Sequence, residues 1–206
     1  EILRCLVGSE MCIRDRGLSL VGIDCDLGEA SVQIASDSYS IGELATRRLI
    51  DDGCSRILCL RSNSRMRMPA NKRTDAYLDV VEQAGLPALV REVEFVKPDD
   101  EKSAVVAKIL DENPDIDGIF AGDDTMAAIC LNVMKQRGLS APGDIKVVGA
   151  DGARRTMTFM PDLTTVRQDI DRIGELAAQS IIALINGEKP ESNIKLPVEL
   201  IEGKTA

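Results

Sequence analysis

Histidine and tryptophan are both absent from this chain of 206 residues, and only 2% of its residues are aromatic. The lack of histidine excludes the commonest general base and every Ser-His or Cys-His nucleophile arrangement. An enzyme built on this chain would therefore have to use carboxylates, lysine, arginine or a metal ion.

Paired cysteines and long apolar runs are missing as well. The six cysteines form no CxxC pair and have no histidine partner, which argues against a zinc site. Their scattered positions favour free thiols in a reducing cytosol. No apolar run approaches the roughly 20 residues that a helix needs to cross a bilayer. We therefore expect a cytoplasmic protein with no membrane contact.

The chain also lacks an excess of positive charge, because its formal net charge is −9 and its sequence pI is about 4.7. A polyanion such as DNA has little electrostatic reason to bind it. If the protein acts on DNA, another segment must make the contact. With 44% apolar and 29% charged residues, the composition is that of an ordinary globular domain.

Residues 1–16, EILRCLVGSEMCIRDR, differ from the rest of the chain. They show neither a clean periodicity nor a helix cap, and the phrase LVGSEMCIRD resembles a translated sequencing-adapter sequence. We expect this segment not to belong to the native domain. The alternative is the frayed terminus of a truncated domain.

From Gly17 onward, runs typical of β-strands alternate with runs typical of helices. The strand-like runs are LSLVGID, RILCL, VREVEFV, GIFAG and IKVVGAD. The first helix is predicted over SIGELATRRLIDDG, with a capping box from Ser40 to Glu43 and a stop at Gly53. Later, PDLTTVRQD is predicted to be extended, and a long amphipathic helix and the strand-like run IKLPVELIEG follow it. The alternation predicts an α/β fold with a parallel, doubly wound sheet.

Polar residues stand at the ends of several predicted strands, among them Asp24, Ser62, Asp123 and Asp151. In open α/β sheets the ligand binds outside the carboxyl ends of the strands. We therefore expect an acid-rich rim that suits a hydroxyl-rich ligand or a cation. Because one helix needs a single N-cap residue, a role worth roughly 1 kcal/mol, we predict that Asp124 is the cap and that Asp123 is left for function.

One enzyme class remains as a remote alternative. Asp24 and Asp26, with the aspartate pair further along, are similar to the aspartate-nucleophile phosphatases of the haloacid dehalogenase type, which hold magnesium. Gly28 stands where that motif has Thr or Val. A dinucleotide-binding dehydrogenase is less favoured still, because no strand is followed by a GxGxxG turn.

Three stretches together resemble one family: GIFAGDDTMAAI, APGDIKVVGADG and PDLTTVRQDIDRIGELAAQSIIALINGEKPESNIKLPVELI. They are similar to the effector-binding domain of the lactose-repressor/galactose-repressor class of bacterial transcription regulators. That resemblance implies the type I periplasmic-binding-protein-like fold, with a parallel sheet flanked by helices. It covers the chain from about residue 18 to the end.

The resemblance also implies how the chain is divided. Residues 38–163 and 192–206 would form a nearly complete C-terminal lobe, and residues 17–37 and 164–191 would be what remains of a mostly missing N-terminal lobe. The DNA-reading helix-turn-helix of the family has no counterpart here, which agrees with the negative net charge of the chain.

By the same resemblance, five residues are expected to contact a ligand: Asp24, Arg73, Asp123, Asp151 and Gln168. Arg73 lies in KRTDAY, although Ala76 replaces the usual glycine, and its planar guanidinium suits vicinal hydroxyls or a carboxylate. Asp123 stands where the family usually has asparagine, so the site is expected to favour a donor such as a hydroxyl or an amine. Ile170 stands where relatives often have an aromatic residue, so a stacked hexose is not assumed.

The function implied is that of a non-enzymatic domain that senses a small polar effector such as a sugar, without metal or cofactor. Lobe closure would be passed to a DNA-binding head absent from this chain, in a protein expected to form a homodimer. The main alternative is a periplasmic solute-binding protein of a transporter, which shares the cleft. A secretory signal upstream would distinguish it.

Overall fold

The computed structural model of the protein describes residues 19–25, 32–63, 71–94 and 96–206. The predictions for residues 1–16, Asp26 and Gly28 lie outside the described residues. The strands are β1 (Val21–Ile23), β2 (Val32–Ser36), β3 (Ile57–Asn63), β4 (Leu89–Glu94), β5 (Gly118–Ala121), β6 (Lys146–Asp151), β7 (Thr164–Gln168), β8 (Asn193–Leu196) and β9 (Val198–Ile201). The helices are α1 (Ser38–Asp51), α2 (Asn71–Gln83), α3 (Asp99–Glu112), α4 (Asp124–Gln136), α5 (Arg154–Phe159) and α6 (Ile170–Ile185).

The chain forms two compact units. Of the described residues, the smaller contains those up to Ser36 together with Asp169–Leu196, and the larger contains those of Asp37–Gln168 and Pro197–Ala206. These divisions differ from the predicted limits at residues 163/164 and 191/192. The reason is strand pairing, because β7 pairs with β6 in the larger unit and β8 pairs with β2 in the smaller unit.

The smaller unit is a three-stranded parallel sheet with the order β1-β2-β8. Helix α6 packs on this sheet through Ile173, which is buried against Val32 and Ile34. The helix ends at Ile185, and Gly187 just beyond it adopts a φ of 79°, a left-handed conformation that commonly terminates helices.

The larger unit is a six-stranded sheet with the order β4-β3-β5-β6-β7-β9, parallel except for the antiparallel edge pair of β7 and β9. Successive residues of β3 enter two different cores, as the period of two in a strand requires. Ile57 and Cys59 pack with residues of α1 and α2, whereas Leu58 and Leu60 pack with residues of α3 and α4. The predicted parallel sheet flanked by helices is confirmed.

The start of α1 differs from the prediction. Its N-cap is Asp37, whose carboxylate accepts a hydrogen bond from the backbone N–H of Ser40. The predicted capping box is therefore wrong, because Ser40 already lies within the first turn and its amide is a group to be capped. Glu43 instead forms an ion pair with Arg47. The predicted stop at Gly53 is confirmed by its φ of 88°.

The final predicted strand is two strands in different units. Pro197 separates β8 from β9, and because proline has no N–H to donate, a continuous strand is interrupted there. No helix within the described ranges is long and apolar enough to span a membrane.

Candidate ligand-binding site

Arg73, the third residue of α2, is held at the carboxyl edge of the six-stranded sheet. Its Nη1 donates to the carbonyl oxygen of Gly122 at 2.5 Å, and its Nη2 donates to Asp151 Oδ1 at 2.9 Å. The side chain is 11% exposed. Its Nε is buried and has no hydrogen-bond partner among the described residues. The guanidinium plane is thus fixed, with one buried donor still to be satisfied.

Gly42 in α1 sets how closely α2 approaches. A Cβ atom at this position would overlap the carbonyl oxygen of Arg73. The absence of a side chain therefore lets the first turn of α2 rest directly on α1 and places Arg73 at the sheet edge. Sequence reasoning missed this residue. The available signal was a glycine inside a helix, which costs about 1 kcal/mol relative to alanine and therefore suggests a packing or functional reason.

Asp151 and Gln168 end the neighbouring strands β6 and β7. Gln168 Nε2 donates to Asp151 Oδ1 at 2.6 Å, so one carboxylate oxygen accepts from both Gln168 and Arg73. Desolvation by burial raises the pKa of Asp151 above its ordinary value, while Arg73 opposes the rise and the charge of Asp123 adds to it. The second oxygen, Oδ2, accepts no hydrogen bond from the described part of the chain.

The N-cap of α4 is not the one of the two adjacent aspartates that was predicted. Asp123, with extended backbone, is the N-cap of α4, and its Oδ1 accepts from the N–H of Met126 at 2.8 Å. Its Oδ2 accepts from Ser62 Oγ at 3.1 Å. The prediction that Asp124 is the cap is wrong, because Asp124 is already the first helical residue. Asp123 thus combines the cap with a polar contact at the sheet edge.

Asp124 points into the protein and is only 3% exposed. Its Oδ2 accepts from the N–H of Gly152 at 2.8 Å, and its Oδ1 accepts from Thr165 Oγ1 at 2.6 Å. Burial raises the pKa of Asp124 to about 6; the Thr165 hydrogen bond opposes this rise, and the negative charge of Asp151 adds to it.

Four of the five predicted ligand residues lie in the larger unit and are linked there. Arg73, Asp151 and Gln168 are joined by hydrogen bonds, and Asp123 is close enough for its charge to act on Asp151. We use the name rim cluster for these four residues and Ser62, that is, for Ser62, Arg73, Asp123, Asp151 and Gln168. Asp24 belongs to the smaller unit, where it adopts a φ of 48° and accepts from the N–H of Ser36.

The rim cluster offers guanidinium, amide and hydroxyl donors beside carboxylate acceptors. A hydroxyl group both donates and accepts hydrogen bonds, so a polyhydroxyl compound matches such a mixed set. Within the described ranges, no group of three His, Cys, Asp or Glu side chains is arranged to hold a metal ion.

Residues 46–206 match the family described as periplasmic binding protein-like domain. The chain belongs to this family. It is 31% identical to the sucrose operon repressor of Lactococcus lactis subsp. lactis over 89% of the chain and 56% of that repressor. It is 32% identical to the HTH-type transcriptional regulator GalR of Escherichia coli K12 over 73% of the chain and 44% of that protein.

Among solved structures, a complex of the transcriptional regulator CelR with cellobiose matches with a TM-score of 0.80. It is 27% identical and is matched over 90% of the present chain and 58% of that chain. The predicted resemblance to effector-binding domains of the lactose-repressor/galactose-repressor class is confirmed. The chain spans about half the length of the curated relatives it matches.

Proposed function

We propose that this chain is the effector-sensing domain of a LacI-type transcription regulator, and that its effector is a small, neutral, hydroxyl-rich metabolite such as a sugar. The observation that carries the proposal is the rim cluster. It draws its polar groups from the ends of β3, β6 and β7, from the first turn of α2 and from the N-cap of α4, at the sheet edge where α/β proteins bind ligands.

The geometry of Arg73 supports a polyhydroxyl ligand. Two of its nitrogens already hold Gly122 and Asp151, so the guanidinium is oriented before a ligand arrives and little side-chain entropy remains to be lost. Adjacent hydroxyls on a sugar can accept from the arginine and donate to a carboxylate at the same time. Asp151 Oδ2, which accepts no hydrogen bond from the described part of the chain, is suited to that second contact.

The charges of the rim cluster support a neutral ligand over an acidic one. Arg73 brings one positive charge, whereas Asp123 and Asp151 bring two carboxylates. A phosphate or carboxylate ligand would meet like charges in a partly desolvated place, which costs several kcal/mol. A neutral sugar avoids this repulsion.

The relatives favour a regulator over a transporter component. The relatives named above are an operon repressor and two transcription regulators. One is described with cellobiose and one as a repressor of a sucrose operon. We infer that the present chain senses a comparable sugar in the cytoplasm, that DNA is contacted by another part of the regulator, and that the regulator is a homodimer. The net charge of −9 agrees with DNA contact by another part of the regulator, because an acidic chain does not attract a polyanion.

Isothermal titration calorimetry with the chain tests this function. Sucrose, cellobiose and glucose are the neutral probes, and glucose 6-phosphate is the charged control. We expect saturable binding of at least one neutral sugar and no heat from the phosphate ester. Binding of the phosphate ester in preference to every neutral sugar would contradict the proposal.

Asp24 is the fifth predicted contact and remains a proposal of its own. Its carboxylate receives a hydrogen bond from Ser36 through Oδ1 at 3.3 Å, a length at which such a bond is weak. If Asp24 contacts the sugar, Asp24→Ala lowers the affinity for the sugar that binds in the titration above. An unchanged affinity would remove Asp24 from the site.

A further inference from the structure

Asp124 lies directly beneath the turn that carries Asp151. Its carboxylate receives hydrogen bonds from the backbone N–H group of Gly152 and from the hydroxyl of Thr165. It thereby ties the start of α4 to the residues that follow β6 and to β7. Neither contact leads to solvent, since Asp124 is almost fully buried.

The turn above Asp124 has an unfavourable backbone. Asp151 adopts a φ of 107° and Gly152 a φ of 56°. A positive φ at a residue with a side chain costs of order 1–3 kcal/mol and persists only where surrounding contacts hold it. The hydrogen bond from Gly152 to Asp124 is such a contact, made at the residue next to the strained one.

Packing leaves a defined space for the Asp124 carboxylate. A Cβ atom on Gly149 would lie 2.5 Å from Asp124 Oδ1, so only glycine in β6 allows the carboxylate to reach Thr165. On the other side of the turn, a Cβ atom on Gly152 would lie 2.6 Å from the Cβ of Arg167. The turn is therefore fitted between Asp124 and β7 with little freedom to shift.

We propose that Asp124 is a positioning residue for the effector site: it holds the turn at Asp151 and Gly152 so that the Asp151 carboxylate meets Arg73 and Gln168. Asp124 does not itself contact the ligand. This inference rests on the proposed function, because the rim cluster is the site that it positions. It assigns a role to the aspartate that the sequence pattern indicated only as a helix cap.

The experiment compares three substitutions at the turn with a fourth, control substitution. Asp124→Ala removes the acceptor. Asp124→Asn is the conservative variant, because its amide oxygen can accept from Gly152 and its amide nitrogen can donate to the Thr165 oxygen. Gly149→Ala displaces the carboxylate by steric overlap without removing any polar group. Val133→Ala, in the buried core on the same helix, is the control for a general loss of stability.

Two readouts report on position without any ligand. Hydrogen exchange of the Gly152 amide, measured by NMR, reports its bond to Asp124. The side-chain amide signals of Gln168 report the bond to Asp151, which lies on another strand. We expect Asp124→Ala and Gly149→Ala to accelerate Gly152 exchange and to shift the Gln168 signals, whereas Asp124→Asn and Val133→Ala leave both near wild type.

Binding provides the third readout. For the sugar that binds wild type, we expect Asp124→Ala and Gly149→Ala to weaken the affinity by about tenfold or more, the effect of losing one well-placed hydrogen bond to a charged group. Asp124→Asn and Val133→Ala should stay within about threefold of wild type, which corresponds to less than one such bond. If Asp124→Ala does not fold, Gly149→Ala decides the question by the same readouts.

The outcomes separate this inference from the proposed function. If no sugar binds wild type, the proposed function fails, and the exchange and Gln168 readouts still decide whether Asp124 positions the turn. If Asp124→Ala and Gly149→Ala leave Gly152 exchange and the Gln168 signals at wild-type values, the positioning role is overturned. The same holds if Val133→Ala weakens sugar binding as much as Asp124→Ala does.

Discussion

The two edges of the six-stranded sheet use polar residues in different ways. At the amino edge, the Asp117 carboxylate accepts from the backbone N–H groups of Ser55 and Arg56, both at 2.8 Å, and from the Ser55 hydroxyl at 2.9 Å. At the carboxyl edge, Asp151 is held by side chains, those of Arg73 and Gln168. The first arrangement ties two loops together, whereas the second presents a fixed set of side chains.

Arg137 and Arg73 differ in a similar way, one serving the fold and the other belonging to the rim cluster. Arg137 follows α4, away from the rim cluster, and its Nη2 donates to the carbonyl oxygen of Ala107 and to Asp111, both at 2.9 Å. Arg73 likewise holds one carbonyl and one aspartate, but it is more buried and its Nε lacks a partner among the described residues. Of these two arginines, Arg73 is the one with a buried donor that no described residue satisfies.

The difference teaches that a polar residue near a strand end is not by itself a site. At the amino edge, the Asp117 carboxylate accepts three hydrogen bonds, and these stabilise the fold. At the carboxyl edge, a buried donor, a strained backbone and a raised pKa coincide, and such features gather where binding rather than stability is served.

The largest expected effect concerns the amino edge. Asp117→Ala should lower the free energy of unfolding by about 3 kcal/mol, because three donors lose a charged acceptor. Sugar affinity, measured well below the melting temperature, should not change. Chemical denaturation and calorimetric titration of this variant check both halves. A large loss of affinity with little loss of stability would reverse the assigned roles of the two edges.

The pH dependence of stability tests the carboxyl edge, through the buried carboxylate of Asp124. The folded pKa of Asp124 is raised to about 6 from 3.8, so its protonated form favours folding. That contribution is fully present below pH 3.8 and is lost as the pH rises through about 6. Stability should therefore fall across this window, and Asp124→Asn should flatten the curve by about 2 kcal/mol. Denaturation curves of both proteins from pH 4 to 7 measure the difference; parallel curves would contradict the assignment.

Two glycines inside helices provide a matched pair. Gly42→Ala should destabilise the protein by about 1–2 kcal/mol, because overlap with the Arg73 carbonyl outweighs the better helix propensity of alanine. It should also weaken sugar binding, since Arg73 is displaced. Gly174 in α6 has open space around it, so Gly174→Ala should stabilise slightly. Thermal melts compare them, and equal shifts in both variants would show that the close contact at Gly42 has no energetic effect.

The smallest expected effect on stability is that of Asp123→Asn. Asparagine caps helices about as well as aspartate, so the change in unfolding free energy should be below about 1 kcal/mol. The ligand preference should change, because asparagine adds a donor and removes a negative charge. Titration with glucose and glucosamine should show glucosamine losing affinity relative to glucose. No change in their ratio would place Asp123 outside the ligand contacts.

Much of the fold was predictable because its signals are local. Alternating strand-like and helical runs, and a glycine such as Gly53 after a helix, act within a few residues. Two boundaries were not predicted correctly. The N-cap of α1 is Asp37, three residues before the predicted Ser40, and Pro197 divides the last predicted strand into two. Such boundaries depend on which of several nearby acceptors meets a free N–H group.

The candidate site was predictable only in part. The grouping of Arg73, Asp151 and Gln168 came from the resemblance to a family, and the structure links them by hydrogen bonds. Gly42 and the buried role of Asp124 depend on contacts across long sequence distances, such as that between Asp124 and Thr165. No local pattern in a single sequence reports such contacts.

The most direct test of the central claim is a calorimetric titration of Arg73→Ala and Arg137→Ala with the sugar that binds wild type. Both substitutions remove an arginine that holds one carbonyl and one aspartate. We expect Arg73→Ala to weaken the affinity by about tenfold or more, the effect of a lost charge-assisted hydrogen bond, and Arg137→Ala to leave it unchanged. Equal affinities for the two variants would contradict the assignment of the rim cluster as the effector site.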